Sequence, residues 1–300
     1  EGTFSWLYQH HKNNYLHFDV PKMEKLASQM AIDLFDLKWS PPGRGLFAMG
    51  SDHVKRYGAA ALNNCYATAT SNLQEAASWT MDQLMNGGGV GFDCSWDGVI
   101  QEPNKQETRT FVIPDSRQGW CAALELLISA YIVNPRTERL GVFPIFDFSQ
   151  IRSAGTPIKG FGGTSMGPEP LRVLLQRAEI FLDTYLAYDR HGDPRCILTM
   201  MQRLYDARVF EIDGASQHMS AERYAQLVAQ VEAIIDRKSY GKERLVVDLM
   251  NSIGCCVVAG NVRRSAMIAV DDASNENFYD LKDYALNPER SFIAGMSNNS

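Results

Sequence analysis

Two cysteines spaced two residues apart occur nowhere in this 300-residue sequence, although it holds six: Cys65, Cys94, Cys121, Cys196, Cys255 and Cys256. That absence removes support from zinc-ribbon and thioredoxin-type sites; no metal site is expected, and reduced thiols are the default. Excess positive charge is missing too. With 29 Lys+Arg against 35 Asp+Glu, the net charge of −6 argues against a partner nucleic acid held by charge alone. A small phosphorylated ligand needs only a few backbone N–H groups and one or two arginines, so it stays open. Long apolar runs are absent as well: Ala122 to Val133, the most apolar stretch, carries Glu125 and is shorter than a bilayer is thick. No signal peptide opens the chain, so a cytoplasmic protein without membrane contact is expected. The first residue is Glu rather than Met and the last four are Ser-Asn-Asn-Ser, which reads as a piece of a longer chain.

What is present is a folded composition, 45% apolar and 21% charged, at a length that one α/β barrel or two smaller domains would fill. Met23, Leu26, Ala27, Met30 and Leu34 recur at helical spacing after Pro21, which predicts an amphipathic helix over Pro21 to Leu37. Leu62 to Thr70 reads as a short strand feeding a helix with Leu73, Ala76, Ala77, Met81, Leu84 and Met85 on one face. Gly87-Gly88-Gly89 ends that helix. Gln101 to Glu107 is polar and reads as a loop or hairpin tip. Helix returns at Ser116, and Gly141 to Ile151 reads as a strand covered on both faces. Leu171 to Tyr185 and Tyr224 to Ile235 carry two more helical stripes, the second behind a Ser220 cap. A further helix is expected from Leu245, with the next strand or strands inside Cys255 to Val270. The alternation of β with α points to an α/β sheet or barrel.

Taken singly, the candidate motifs have bland readings. Gly87 to Gly91 follows a helix and lacks the Lys-Ser/Thr of a P-loop, so a helix cap with packing glycines competes evenly with a ligand cradle. An unpaired Cys65 on a strand is more often a small buried hydrophobe than a reagent. Arg263-Arg264 fits a carboxylate or a solvated edge as well as a phosphate, and His10-His11 lacks metal-ligand spacing. Cys255-Cys256 reads as two buried thiols, because neighbouring cysteines bridge only with strain. Asn298-Asn299-Ser300 matches a glycosylation sequon, which means little without a secretory signal.

In combination the motifs say more. Leu62-Asn63-Asn64-Cys65, Met85-Asn86-Gly87-Gly88-Gly89-Val90-Gly91-Phe92 and Pro114-Asp115-Ser116-Arg117-Gln118-Gly119-Trp120 are followed by Asp147-Phe148-Ser149-Gln150-Ile151-Arg152. Lys159 to Pro168 and Val258 to Ala266 complete the series. Six blocks in this order resemble the adenosylcobalamin-dependent (class II) ribonucleotide reductases, especially the monomeric ribonucleoside-triphosphate type. The resemblance implies the N-terminal half of that family's α/β barrel with flanking helices. Residues 1–60 would be a helical lead-in and 61–300 the first half of the barrel, with a helical insertion at about 188–242.

The activity implied is conversion of ribonucleoside triphosphates or diphosphates to 2′-deoxyribonucleotides by thiyl-radical chemistry. Cys65 matches one of the reducing cysteine pair and Asn64 a substrate contact. Gly87, Gly88, Gly89 and Gly91 match a loop beside the ribose and phosphates. Arg152, Lys159, Gly160, Phe161, Gly162 and Gly163 match the specificity loop between a deoxynucleotide effector and the substrate base. The resemblance also implies adenosylcobalamin, bound mainly by parts of the family's chain not present here, and a thioredoxin-like or dithiol reductant. The thiyl cysteine and the partner of Cys65 belong to motifs expected beyond residue 300, so this stretch alone should not turn over. Against lactobacillus-type enzymes, the segment from Phe92 to Pro114 is short and Tyr188 to Lys242 is added; the protein could be a monomer or a dimer. A nucleotide-binding module without catalysis is the rival reading.

Overall fold

The computed structural model describes residues 19–133, 140–158, 163–210, 219–259 and 266–299. His10-His11 and Arg263-Arg264 lie outside the described residues. The chain divides into two units, Glu1–Asn64 and Cys65–Ser300.

The first unit is helical where it is described. Helix α1 (Val20–Phe35) opens where Asp19 accepts a hydrogen bond from the Lys22 backbone N–H at 3.0 Å and Pro21 occupies the first turn. α2 (Gly43–Ala48) and α3 (Asp52–Tyr57) follow, and a 3₁₀ turn, Ala59–Leu62, leads to the boundary. The unit's buried core is small, formed by Ala48, Val54 and Ala61 with Leu62 packed against them.

The second unit alternates strands and helices. β1 (Cys65–Thr68), α4 (Leu73–Met85) and β2 (Gly89–Asp93) form a parallel βαβ unit, with α4 as the crossover that a parallel pair requires. β3 (Thr108–Val112), α5 (Arg117–Ser129) and β4 (Phe143–Asp147) form another. Then come α6 (Glu169–His191), α7 (Cys196–Asp206), α8 (Ala221–Glu232) and α9 (Lys242–Val258), followed by β5 (Met267–Val270), α10 (Glu276–Asp280) and β6 (Ser297–Asn299). The strands form a four-stranded parallel sheet in the order β1-β2-β5-β6 and a two-stranded parallel sheet of β3 and β4. The core lies where α4, α5, α6 and α9 pack on one another, around Met81, Leu84, Leu124, Leu174, Phe181 and Leu249, all within 1% of full burial. Each such side chain contributes about 1.5–3 kcal/mol relative to its exposed state.

One expectation is corrected: β4 is not covered on both faces, since Pro144 is buried while Ile145, on the opposite face, is 51% exposed. Gln101 to Glu107 is a loop, one of the two forms expected of it; the strands on either side of it, β2 and β3, belong to different sheets, which removes the hairpin alternative. The strand expected inside Cys255 to Val270 is β5, at Met267–Val270, with Cys255 to Val258 forming the last turn of α9.

Candidate active site

Side chains alternate across the four-stranded sheet. Val90, Phe92, Met267, Ala269 and Ser297 are buried on one face, against the helices. Cys65, Ala67, Ile268, Val270 and Asn298 emerge on the other, and all are exposed. Parallel sheets are ordinarily covered on both faces, and among the described residues this face is open. It carries a cavity of about 540 Å³ lined by β1, β2 and β5, including Cys65, Gly89, Gly91 and Ile268. That volume is within the range of small-molecule sites.

The thiol on this face differs from the others. All six cysteines are free, and Cys65 alone is exposed, which overturns its reading as a small buried hydrophobe. Burial pushes the Cys94 thiol well up, Cys121 to about 12 and Cys196 to about 11, so those three stay protonated and inert at neutral pH. Cys256 is buried as expected, whereas Cys255 is half-buried.

The four glycines expected at the site separate into two kinds. Gly87, at φ +80°, and Gly88 close α4 in a Schellman motif: Gly87 N–H donates to Leu84 O at 2.8 Å and Gly88 N–H to Gln83 O at 3.0 Å. Gly88 also lets the Tyr66 ring pass, since a Cβ there would stand 2.2 Å from the ring edge. Gly89 and Gly91 are different: they lie in register with Cys65 and Ala67 on the open face and leave bare backbone as its floor. Asn64 is exposed, immediately before β1.

At the C-terminal end of β2, the Asp93 carboxylate accepts hydrogen bonds from Thr70 N–H at 2.9 Å and Thr70 Oγ at 2.6 Å. Burial pushes that carboxyl up, but the bonds from Thr70 and Ser95 outweigh it and hold Asp93 below its ordinary value. A smaller cavity, about 150 Å³, lies where the start of α5 meets the glycine-rich loop, with Asp115, Arg117, Arg152, Thr164 and Cys256 among its lining. Arg152 Nε is 2.7 Å from Asp115 Oδ2, and Arg117 Nε is 2.9 Å from Asp82 Oδ1. The loop is tied across itself by Gly155 N–H to Ser165 O at 2.7 Å and Ile158 N–H to Gly163 O at 2.9 Å. Lys159, Gly160, Phe161 and Gly162 lie outside the described residues. Arg152 therefore lines this second cavity, with Gly163 next to its lining residue Thr164, and Cys65, Gly89 and Gly91 line the first.

Comparison with known proteins points to the same family as the six motifs. The family model described as "B12-dependent ribonucleotide reductase, insertion domain" matches residues 76–181. The adenosylcobalamin-dependent ribonucleoside-triphosphate reductase of Euglena gracilis is 35% identical over the whole chain. The chain matches the class II ribonucleotide reductases. The enzyme of the same name from Lactobacillus helveticus is 27% identical across 87% of the chain. A crystal structure of a B12-dependent (class II) ribonucleotide reductase superposes on all of the chain with a TM-score of 0.60 at 20% identity, covering 41% of that protein. The α/β fold is thereby the reductase fold. The chain spans about a third of the length of the curated relatives it matches, 34% of the Euglena protein and 37% of the Lactobacillus one.

Sequence reading did not find the Asp115–Arg152 pair or the exposure of Asn298 on the open face. Thirty-seven residues separate Asp115 from Arg152, and no local pattern links them. Asn298 reads only as part of a sequon until the register of β6 is known. Among the described residues no cluster of His, Cys, Asp or Glu is disposed to hold a metal ion, and no helix is long and apolar enough to cross a membrane.

Proposed function

We propose that this chain forms part of a ribonucleotide reductase, with the sheet-face cavity receiving the ribose and Cys65 serving as one of the two thiols that reduce it. The exposed thiol of Cys65 at the start of an edge strand, on a face floored by glycines, is the observation that carries the reading. In such a step the 2′-hydroxyl leaves as water, two thiols give up two electrons and two protons, and a disulfide forms between their sulfurs. Disulfide geometry requires a partner Cα within about 7 Å. The buried Cys94, Cys121 and Cys256 lack the access this needs, and the family resemblance assigns the partner to a motif that this sequence does not contain. A thioredoxin-like or dithiol reductant would then restore the pair.

The relatives named above are adenosylcobalamin-dependent, and the cofactor would supply the radical from which a thiyl is made. A corrin with its nucleotide tail is far larger than a nucleotide, and the cavity over the sheet is of small-molecule size. The described residues therefore do not frame cobalamin by themselves. Their own contribution is to present the Cys65 thiol and to keep side chains away from the sugar with Gly89 and Gly91. We further infer that Asn64 contacts the substrate and that the loop from Arg152 through Gly163 reads a deoxynucleotide effector. The Asp115–Arg152 ion pair supports that reading by anchoring one end of the loop just before the start of α5.

The test is Cys65→Ser in the complete polypeptide as the host makes it. Turnover with a dithiol reductant falls by at least about 10³-fold while ribonucleotide binding is retained. Unchanged turnover would refute the role of Cys65, and binding without any turnover in the unaltered protein would favour a nucleotide-binding module.

A further inference from the structure

The open face of the four-stranded sheet ends in an exposed amide. Register sets Ala67 beside Gly91, Gly91 beside Ile268 and Ile268 beside Asn298, so one row of residues crosses all four strands on one side. Cys65 and Gly89 start the next row on that side. The neighbours of Asn298 in β6 are committed elsewhere: Ser297 is buried, and Asn299 Nδ2 donates to Phe278 O at 3.5 Å. Asn298 is exposed, and its side chain forms no hydrogen bond to any described residue. Asp93, a carboxylate at the end of the same face, is already occupied by Thr70.

Between the thiol and this amide the floor is Ala67, Ile268, Val270 and glycine backbone. An apolar floor of that kind suits the flat face of a heterocycle, and a polar group at its margin suits the heterocycle's edge. Three strand spacings separate β1 from β6, about 14 Å, which leaves room for a sugar at Cys65 with its base toward β5 and β6. Resting on the reading of the cavity as a ribonucleotide site, we propose that the carboxamide of Asn298 pairs with the polar edge of the substrate base. A carboxamide holds a donor and an acceptor side by side, and half a turn about its last torsion exchanges them. One residue can thus serve bases whose edges present donor and acceptor in either order, which a site that takes several nucleotides requires.

The experiment measures dissociation constants for ATP, GTP, CTP and UTP by equilibrium dialysis, with the complete polypeptide and its Asn298→Ala and Asn298→Asp variants. Asn298→Ala weakens all four by about tenfold, the value of one or two hydrogen bonds. Asn298→Asp can only accept, so it shifts preference by about tenfold toward guanine, whose edge offers two adjacent donors, relative to uracil, whose edge is mostly acceptor. Unchanged constants in Asn298→Ala, or an equal loss for all four nucleotides in Asn298→Asp, would overturn the proposal, as would absence of binding by the unaltered protein. An unchanged urea midpoint in Asn298→Asp shows that the fold is intact. The reductase reading fails separately, if Cys65→Ser still turns over, and that result leaves the base comparison readable.

Discussion

At the residue scale, the six thiols show how position sets chemistry. Cys94 and Cys121 sit in the core, where ionisation would strand a charge away from water, and Cys65 stands at a strand start with its sulfur accessible. Nothing in a six-residue window around Cys65 distinguishes these cases, so composition alone favoured a buried thiol. The glycines were more legible, though only in part: the triple glycine correctly marks the end of α4, but which glycine caps and which faces the cavity depends on register. Gly88 provides a test. A methyl group there would stand 2.2 Å from Tyr66, whose ring packs edge-on to Trp79 at 5.8 Å between centroids, so the ring pair must move. Gly88→Ala is expected to lower the unfolding free energy by about 1–3 kcal/mol in urea titration, the usual cost of overpacking. Gly43→Ala, with open space at the corresponding position, should stay within about 0.5 kcal/mol.

At the element scale, an ionic cluster fastens the segment leading to β6 against α9. Glu289 Oε1 lies 2.9 Å from Lys238 Nζ and 2.7 Å from Arg244, and Asp248 Oδ1 lies 2.8 Å from Arg290 Nε; every one of these side chains is nearly fully buried. Three cations, Lys238, Arg244 and Arg290, thus face two carboxylates, Asp248 and Glu289. Asn287 Oδ1 and backbone carbonyls, such as Leu286 O and Leu281 O, accept further donors, whereas the buried Arg290 Nη2 has no hydrogen-bond partner among the described residues. Buried pairs add little net stability over an apolar substitute, yet breaking one strands its partners. Glu289→Gln, which leaves Lys238 and Arg244 without their shared acceptor charge, is expected to destabilise by about 3–5 kcal/mol, read as the urea midpoint. Lys238→Met removes the excess positive charge instead and should cost less; an equal or larger loss would contradict this account. The helix from Leu245 was legible in the sequence, but α10 and the cluster were not, because charged residues in α9 look like a solvated face until α10 and the turns after it fold back over them.

At the scale of the whole molecule, βα alternation and the order of six short motifs made the reductase fold readable before any coordinates. The division of strands into two sheets and the bare face of the larger sheet were not readable, since both are set by long-range pairing. The same burial that hides the core thiols makes the molecule's stability depend on pH in a definite direction. Below about pH 9, a thiol is protonated in both the folded and the unfolded chain, so it adds no pH dependence. Above that, the unfolded thiol ionises, while burial holds Cys121 protonated to about 12 and Cys196 to about 11. The unfolded state then binds fewer protons than the folded one, and stability falls as pH rises, by up to about 1.4 kcal/mol per unit for each such thiol. Lys238 acts in the opposite sense: burial lowers it from its ordinary 10.5 to about 8, so between those values the unfolded chain holds the extra proton and stability rises with pH. Cys94, pushed up still further by burial, joins Cys121 and Cys196, and three thiols outweigh one lysine. Urea midpoints taken under reductant at pH 8 and pH 10 should therefore decline. Cys196→Ala should flatten the decline and Lys238→Met should steepen it; a midpoint that held steady or rose between those pH values would show that these thiols are not shielded as described.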